Sequence, residues 1–262
     1  LHINIWGAFK ASSIIFKIIE NEMTKLESLT LDNSEDLGST FGAPITNLPK
    51  TLSHLEIRGL YSPPEGTRYI PIISDLTNLT HLVLPDNVPG DVGGRLPNSV
   101  THLTVGDEWD GSVDDLPDSI THLTIGDDWN GSVDNLPKSL KQFTSGDGFN
   151  QPIDNLPKTI THINLGYSLN RLINNLPKSI THLTLGEQFS QPIDNRFLLL
   201  LQNLTYLVFR NPDLKATTNT FKNLDKLTHL EYSISGDVDM NNKPPLLNVV
   251  RVKHYRFILT DK

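Results

Sequence analysis

The chain has 262 residues, 37% of them hydrophobic and 20% charged, no cysteine, and a formal net charge of −8. Without cysteine it holds no disulfide, no thiolate zinc site and no catalytic thiol, which fits a reducing compartment. Its longest apolar cluster, Phe197–Leu201, is far shorter than the ~20 residues of a membrane span, and its acidic balance disfavours a nucleic-acid backbone as partner.

One motif, apolar-x-x-apolar-x-apolar, returns along the whole chain. His2-Ile-Asn-Ile opens inside a copy and matches His162-Ile-Asn-Leu, so we expect further sequence before Leu1. No secretory signal is visible in Leu1–Phe16. Lys10–Met23 carries Ile14, Ile15, Ile18 and Ile19 at helical spacing and predicts a helix. Copies follow at Leu26-Glu-Ser-Leu-Thr-Leu, at Leu48-Pro-Lys-Thr-Leu-Ser-His-Leu-Glu-Ile and, after an irregular insertion over 59–71, at Leu79-Thr-His-Leu-Val-Leu. Leu-Pro then recurs every 20 residues at 96, 116, 136, 156 and 176. One such unit reads Leu116-Pro-Asp-Ser-Ile-Thr-His-Leu-Thr-Ile-Gly-Asp-Asp-Trp-Asn-Gly-Ser-Val-Asp-Asn135. Looser copies begin at Leu204, Leu227 and Leu247.

The motif is the strand signature of a leucine-rich repeat. Leu123 and Ile125, two apart, point to one side of a strand, and His122 and Thr124 to the other. Gly126 is read as permitting a sharp turn. Trp109, Trp129, Phe149 and Phe189, with Leu169 in the same place and Phe41 as an earlier copy, are expected to form an internal spine. A coil of 20 residues with Pro near its start leaves no room for a regular helix on the return side, so extended or 3-10 segments are expected there. The fold class is therefore α/β leaning to mostly β. We expect a right-handed, leucine-rich-repeat-like solenoid with parallel strands centred near 3, 29, 55, 82, 103, 123, 143, 163, 183, 207, 230 and 250. It would be a single domain over 1–262, with irregular repeats over 1–95, regular ones over 96–195, and irregular repeats with a cap from Arg251 over 196–262.

The runs Gly146-Asp-Gly-Phe-Asn-Gln-Pro-Ile-Asp-Asn-Leu-Pro-Lys-Thr-Ile-Thr-His-Ile and Gly186-Glu-Gln-Phe-Ser-Gln-Pro-Ile-Asp-Asn resemble the FNIP repeat, a leucine-rich-repeat relative of social amoebae and of the giant DNA viruses that infect amoebae. Trp at 109 and 129, Leu at 169, and Gly-Ser-Val for Gln-Pro-Ile at 111–113 and 131–133 depart from its pattern. The resemblance implies a protein-recognition domain. Such proteins often carry an N-terminal F-box that docks onto a ubiquitin ligase, and Leu1–Met23 does not resemble one.

Eight of the nine histidines (2, 54, 81, 102, 122, 162, 182 and 229) share one repeat position and should line up on the concave sheet face; Gln142 and Tyr206 interrupt the row. A flat row does not supply the tetrahedron that zinc prefers, and a catalytic His needs an environment of its own, which duplicated positions lack. Leu96–Asn195 holds 13 acids against 5 bases and so carries the whole charge imbalance. Asp107, Glu108, Asp127 and Asp128 follow their strands and should form an acidic rim. Calcium is a weaker reading, because the Gly-rich nonapeptide coil that binds it is absent. No nucleotide, Ser-hydrolase or zinc-protease motif occurs.

We therefore expect a protein-protein recognition scaffold and no enzyme, cofactor or metal, with a host-cell cytoplasmic location if the protein is viral. The candidate contact residues are His102, Thr104, His122, Thr124, Gln142, His162, Asn164, His182, Thr184 and Tyr206, with Asp107, Glu108, Asp127 and Asp128 beside them. The expected partner is a basic protein, not nucleic acid and not a membrane, with ubiquitin-ligase components added where an F-box precedes the repeats. The alternatives are a structural or virion-associated repeat protein and, less well supported, a β-solenoid carbohydrate-active enzyme whose groove would sit at the 59–71 insertion. Asn78 and Asn203 sit in Asn-Leu-Thr sequons inside the strand motif and are read as structural.

Overall fold

Two apolar residues separated by one polar residue bury one face of a short strand, and a single coil cannot cover that face alone. In the computed structural model, which describes residues 1–6, 19, 23–32, 47–59, 73–88, 90–193, 200–211, 221, 223–232, 245–247 and 249–252, every copy of the motif is a strand. They are β1 (His2–Trp6), β2 (Ser28–Asp32), β3 (His54–Arg58), β4 (His81–Val83), β5 (His102–Thr104), β6 (His122–Ile125), β7 (Gln142–Ser145), β8 (His162–Asn164), β9 (His182–Leu185), β10 (Tyr206–Phe209), β11 (His229–Tyr232) and β12 (Val249–Val252). All twelve fall where the spacing places them.

The chain divides into two compact units, Leu1–Gly131 with Leu136–Leu140, and Ser132–Asn135 with Lys141–Lys262. In the first, β1 to β6 pair in sequence order, all parallel, with repeat-equivalent residues side by side: Leu29 beside Leu55, Leu82 beside Leu103, Leu103 beside Leu123. In the second, β7 to β12 pair in the same way, with Phe143 beside Ile163 and Leu183 beside Leu207. Each unit is thus a leucine-rich-repeat-like solenoid of parallel sheet. No helix interrupts Leu96–Ile193, and the one 3-10 helix of the described residues is Gly90–Arg95. No helix among the described residues is long and apolar enough to cross a membrane.

The return side of each regular coil is a tight turn. The carbonyl of each repeat proline accepts the N–H three residues on: Val100 to Pro97 (3.1 Å), Ile120 to Pro117 (3.1 Å) and Leu140 to Pro137 (3.0 Å) in the first unit, Ile160 to Pro157 (3.1 Å) and Ile180 to Pro177 (3.2 Å) in the second. The preceding polar residue ties its coil to the one before, as Ser119 Oγ donates to Val100 O at 2.7 Å. Both sequon asparagines have the same structural role: Asn78 Nδ2 donates to Lys50 O and Asn203 Nδ2 to Lys178 O, each at 2.9 Å.

The aromatic spine is present in both units. Trp109 and Trp129 stack at 6.0 Å in the first, and Phe149, Leu169 and Phe189 are fully buried in the second. Of the helix expected over Lys10–Met23 only Ile19, helical and buried, and Met23 are described; Phe41, most of the 59–71 insertion and the cap beyond Val252 lie outside the described residues.

The structure corrects one reading. Gly126 does not occupy the left-handed backbone region, so turn conformation is not what selects it. A Cβ there would sit 2.4 Å from the Asp107 Cα of the coil before, and at Gly166 and Gly186 it would sit 2.2 Å and 1.9 Å from the carbonyl oxygen of the preceding coil's glycine. Glycine is needed because one backbone lies directly on another.

Two expectations follow. Gly126→Ala should destabilise the fold by about 1–3 kcal/mol or more, because backbone rather than a flexible side chain must yield; chemical denaturation measures it, and an unchanged midpoint would show that the coils separate cheaply. The tryptophans should respond unequally to Phe. Trp129 Nε1 donates to Gly111 O at 2.8 Å, whereas Trp109 Nε1 is buried without a partner. Trp129→Phe should therefore cost about 1 kcal/mol more than Trp109→Phe, which removes an unsatisfied donor; equal losses would mean the Trp129 hydrogen bond adds nothing net.

Candidate binding face of the parallel sheet

Along each strand the central residue points into the core and its neighbours point out, so the open face carries two rows. In the first unit the first row is His54, His81, His102 and His122, and the second is Glu56, Val83, Thr104 and Thr124. In the second unit the first row is Gln142, His162, His182, Tyr206 and His229, and the second is Thr144, Asn164, Thr184, Val208 and Glu231. Within its unit each sheet-face candidate named from the sequence lies in one of these rows. Apart from exposed His54 and Gln142 and buried Val208, these side chains are half-buried.

The imidazoles are stacked as well as aligned. Ring centroids lie 4.2 Å apart for His54–His81, 4.1 Å for His81–His102 and 4.0 Å for His102–His122, with planes within 14° of one another. In the second unit His162 and His182 stack at 4.1 Å, Tyr206 follows at 5.4 Å, and His229 stacks on Tyr206 at 4.2 Å.

The hydroxyl residue before six of the histidines keeps the ring in place, a role the sequence reading missed although Thr-His recurs throughout. Thr101 Oγ1 is 2.9 Å from His102 Nδ1, and Ser53, Thr80, Thr121, Thr161 and Thr181 make the same contact at 2.8–2.9 Å. The same Thr101 oxygen lies 3.2 Å from Thr80 O, which already accepts the backbone N–H groups of Thr101 and His102. A hydroxyl has one proton and two lone pairs. It can therefore donate to a bare Nδ1, or turn its proton to the carbonyl and accept from Nδ1–H, so the ring is held in either protonation state.

Stacking sets the electrostatics. Two unit charges about 4 Å apart repel by about 1 kcal/mol in water and about 4 kcal/mol at an effective dielectric near 20. His81, His102 and His182 are accordingly held below the ordinary imidazole pKa, first by burial and then by the neighbouring imidazoles.

The rim lies beyond Gly106 and Gly126, which follow β5 and β6. Asp107, Glu108, Asp127 and Asp128 are all exposed, and half-buried Asp86 holds the equivalent place one coil earlier, after Pro85. Burial, then Asp107 and Glu108, push the Asp86 carboxyl above its usual range. Asp107 also supports the backbone, since its Oδ1 accepts the N–H of Asp127 at 3.2 Å, as Asp147 Oδ1 accepts that of Tyr167 at 2.9 Å in the second unit. Among the described residues no three His, Asp or Glu side chains gather as a metal-binding group.

Parallel coils, a 20-residue period and inward aromatics define a repeat class, and the FNIP Repeat family matches residues 92–128, 130–168 and 170–198. The chain carries FNIP repeats. Among solved structures, it is similar to CroV588 from a giant virus, described as a novel circular LRR protein structure, with 27% identity and a TM-score of 0.72 over 96% of this chain. The chain spans 40% of the length of CroV588. It also shares its fold with the internalin InlF of Listeria monocytogenes, at 17% identity and a TM-score of 0.51, over 90% of this chain and 82% of that one. Among curated proteins none matches. FNIP and leucine-rich repeats are generally scaffolds for protein interaction, and the chain has that kind of fold.

The lowered histidines make stability depend on pH. In the unfolded chain these groups bind protons near pH 6.5, whereas in the folded one they resist until lower pH, so the unfolded state gains protons first. Folding free energy should hold above about pH 6.5 and decline as the pH falls through and below it. Denaturation midpoints between about pH 8 and 5.5 test this, and a flat profile would show that the stack does not resist protonation.

Proposed function

We propose that the chain recognises another protein, not a small substrate, and that in the first unit the partner lies against the half-buried His and Thr rows and the carboxylates beside them. The observation that carries this reading is the open sheet face itself: an extended array of half-exposed polar side chains, presented in fixed register by stacked coils. Residues that break the repetition supply selectivity, namely Glu56 in the first unit, and Gln142, Asn164 and Tyr206 in the second. The rim favours a basic partner, because clustered carboxylates raise the encounter rate with positive surfaces and make it salt-sensitive. The same repetition supports a function without catalysis, since among the described residues of the face no set stands apart from its copies as a reacting centre. The host-cell cytoplasm suits such a role for a viral protein. The narrower reading, in which the partner is a client brought to a ubiquitin ligase, rests on the resemblance to F-box proteins alone.

The test is capture of proteins from amoebal lysate by the intact chain and by a variant carrying Asp107→Asn, Glu108→Gln, Asp127→Asn and Asp128→Asn. Asn at 107 keeps an oxygen for the Asp127 N–H, so the fold should survive. Basic proteins bound by the intact chain should be lost from the variant, with association at low salt slowed about tenfold or more. Equal recovery of the same proteins would remove the rim from the reading. Recovery of only the chain itself would favour the structural role.

A further inference from the structure

We propose that the imidazole stack of the first unit, His54, His81, His102 and His122, is a proton-binding switch on the recognition face. Near neutral pH the stack is uncharged and leaves the rim carboxylates to attract a basic partner. As the pH falls it takes up positive charge at alternate rings and turns the partner away. The partner half of this proposal rests on the function proposed above; the proton-binding half rests on the stack alone.

The geometry carries it. The four rings form one continuous column with centroid spacings of 4.0–4.2 Å, so a charge on one ring bears directly on its neighbours. Alternate occupation relieves this, because rings two apart have a neutral ring between them. Proton uptake also costs no hydrogen bond, since the Ser53, Thr80, Thr101 and Thr121 hydroxyls serve Nδ1 as donor or acceptor. The burial and mutual repulsion that hold His81 and His102 below the ordinary range point the same way.

The charged groups around the column are few. On β2 the residues of this face are Ser28, Thr30 and, buried in register with Arg58, Asp32. On β3 they include Glu56, which accepts from Thr30 Oγ1 at 3.2 Å and pairs with Arg58. On β4, β5 and β6 the second row is uncharged Val83, Thr104 and Thr124. The rim supplies Asp86, Asp107, Glu108, Asp127 and Asp128. Among the described residues of the first unit, the second row beside His81 and His102 is thus uncharged on their own strands, and Glu56 on β3 is the nearest charge in that row. The second unit provides an internal contrast, because Tyr206 stands between His182 and His229 and its described residues hold no run of more than two imidazoles.

The experiment uses the full chain. The ring protons of each histidine are followed by NMR from about pH 8 to 5, in the wild type and in His102→Gln. Gln142 already occupies that repeat position, so the substitution fits the fold. Wild-type His81 and His102 should titrate more broadly than a single site, with Hill coefficients below one. In His102→Gln the midpoint of His81 should rise and its curve should sharpen, with His54 left as its one stacked neighbour. Independent curves of unit slope, unmoved by His102→Gln, would overturn the proposal.

A second arm measures binding of a lysine-rich peptide at low salt, at about pH 7.5 and 5.5. Wild type should lose about tenfold in affinity at the lower pH, and a variant with all four histidines changed to Gln should lose little. Equal losses would assign the effect to the carboxylates and overturn the switch. Absence of peptide binding at both pH values, with the titrations split as expected, would uphold proton binding by the stack, overturn its coupling to a basic partner and count against the recognition reading separately.

Discussion

Everything in each unit depends on one constraint: a coil lies on its predecessor at strand spacing, about 4.8 Å, in register, so every residue has its own repeat equivalent as a neighbour. The backbone hydrogen bonds follow from this, as do the glycines at 126, 166 and 186, where any Cβ would collide with the coil before. It also turns single residue choices into columns. Leucine repeated at one position becomes a core, tryptophan a spine, and histidine a stack of rings.

The sequence made the strands legible because the apolar pair two apart is a strong local signal and its copies are numerous. It made the outward row legible for the same reason, since His122 must oppose Leu123. It did not reveal what depends on contact between coils. Gly126 looked like a turn residue, and only the closeness of Asp107 shows otherwise. Thr101, before His102, has no role that a single coil reveals, yet it holds the ring and reaches the previous coil's carbonyl. Asp107 looked like a free surface charge, yet it accepts a backbone N–H one repeat ahead. In each case the missing information is a pairing about 20 residues away, which a pattern within one coil does not contain.

Repetition also limits how function can be written on such a surface. A face made of identical positions has no distinct point, so it suits an extended partner better than a small one, and selectivity must come from departures. Gln142 and Tyr206 depart in the first row, and Asn164 and Glu231 in the second. Tyr167 does so at the rim, where it is exposed at the place that Asp107 and Asp127 hold in other copies. These are the positions where a partner could tell one coil from another.

Columns of ionisable residues carry a further consequence. A duplicated aliphatic position gains from stacking on itself, whereas a duplicated charge repels its own copy at every step. The two ionisable columns of the first unit meet this difficulty differently. The carboxylates of the rim remain exposed to water, lend an oxygen to a backbone N–H as Asp107 does, or give up some acidity as Asp86 does under burial and its neighbours. The imidazoles of His81, His102 and His122 sit half-buried in contact and have less of the first outlet, so they avoid repulsion by being neutral. Histidine titrates close to physiological pH yet can be neutral there and stack, which explains how a row of titratable groups can occupy a face this close-packed. The same choice leaves the row one proton per ring away from a different charge, and that sensitivity is a cost of the packing whether or not a partner exploits it.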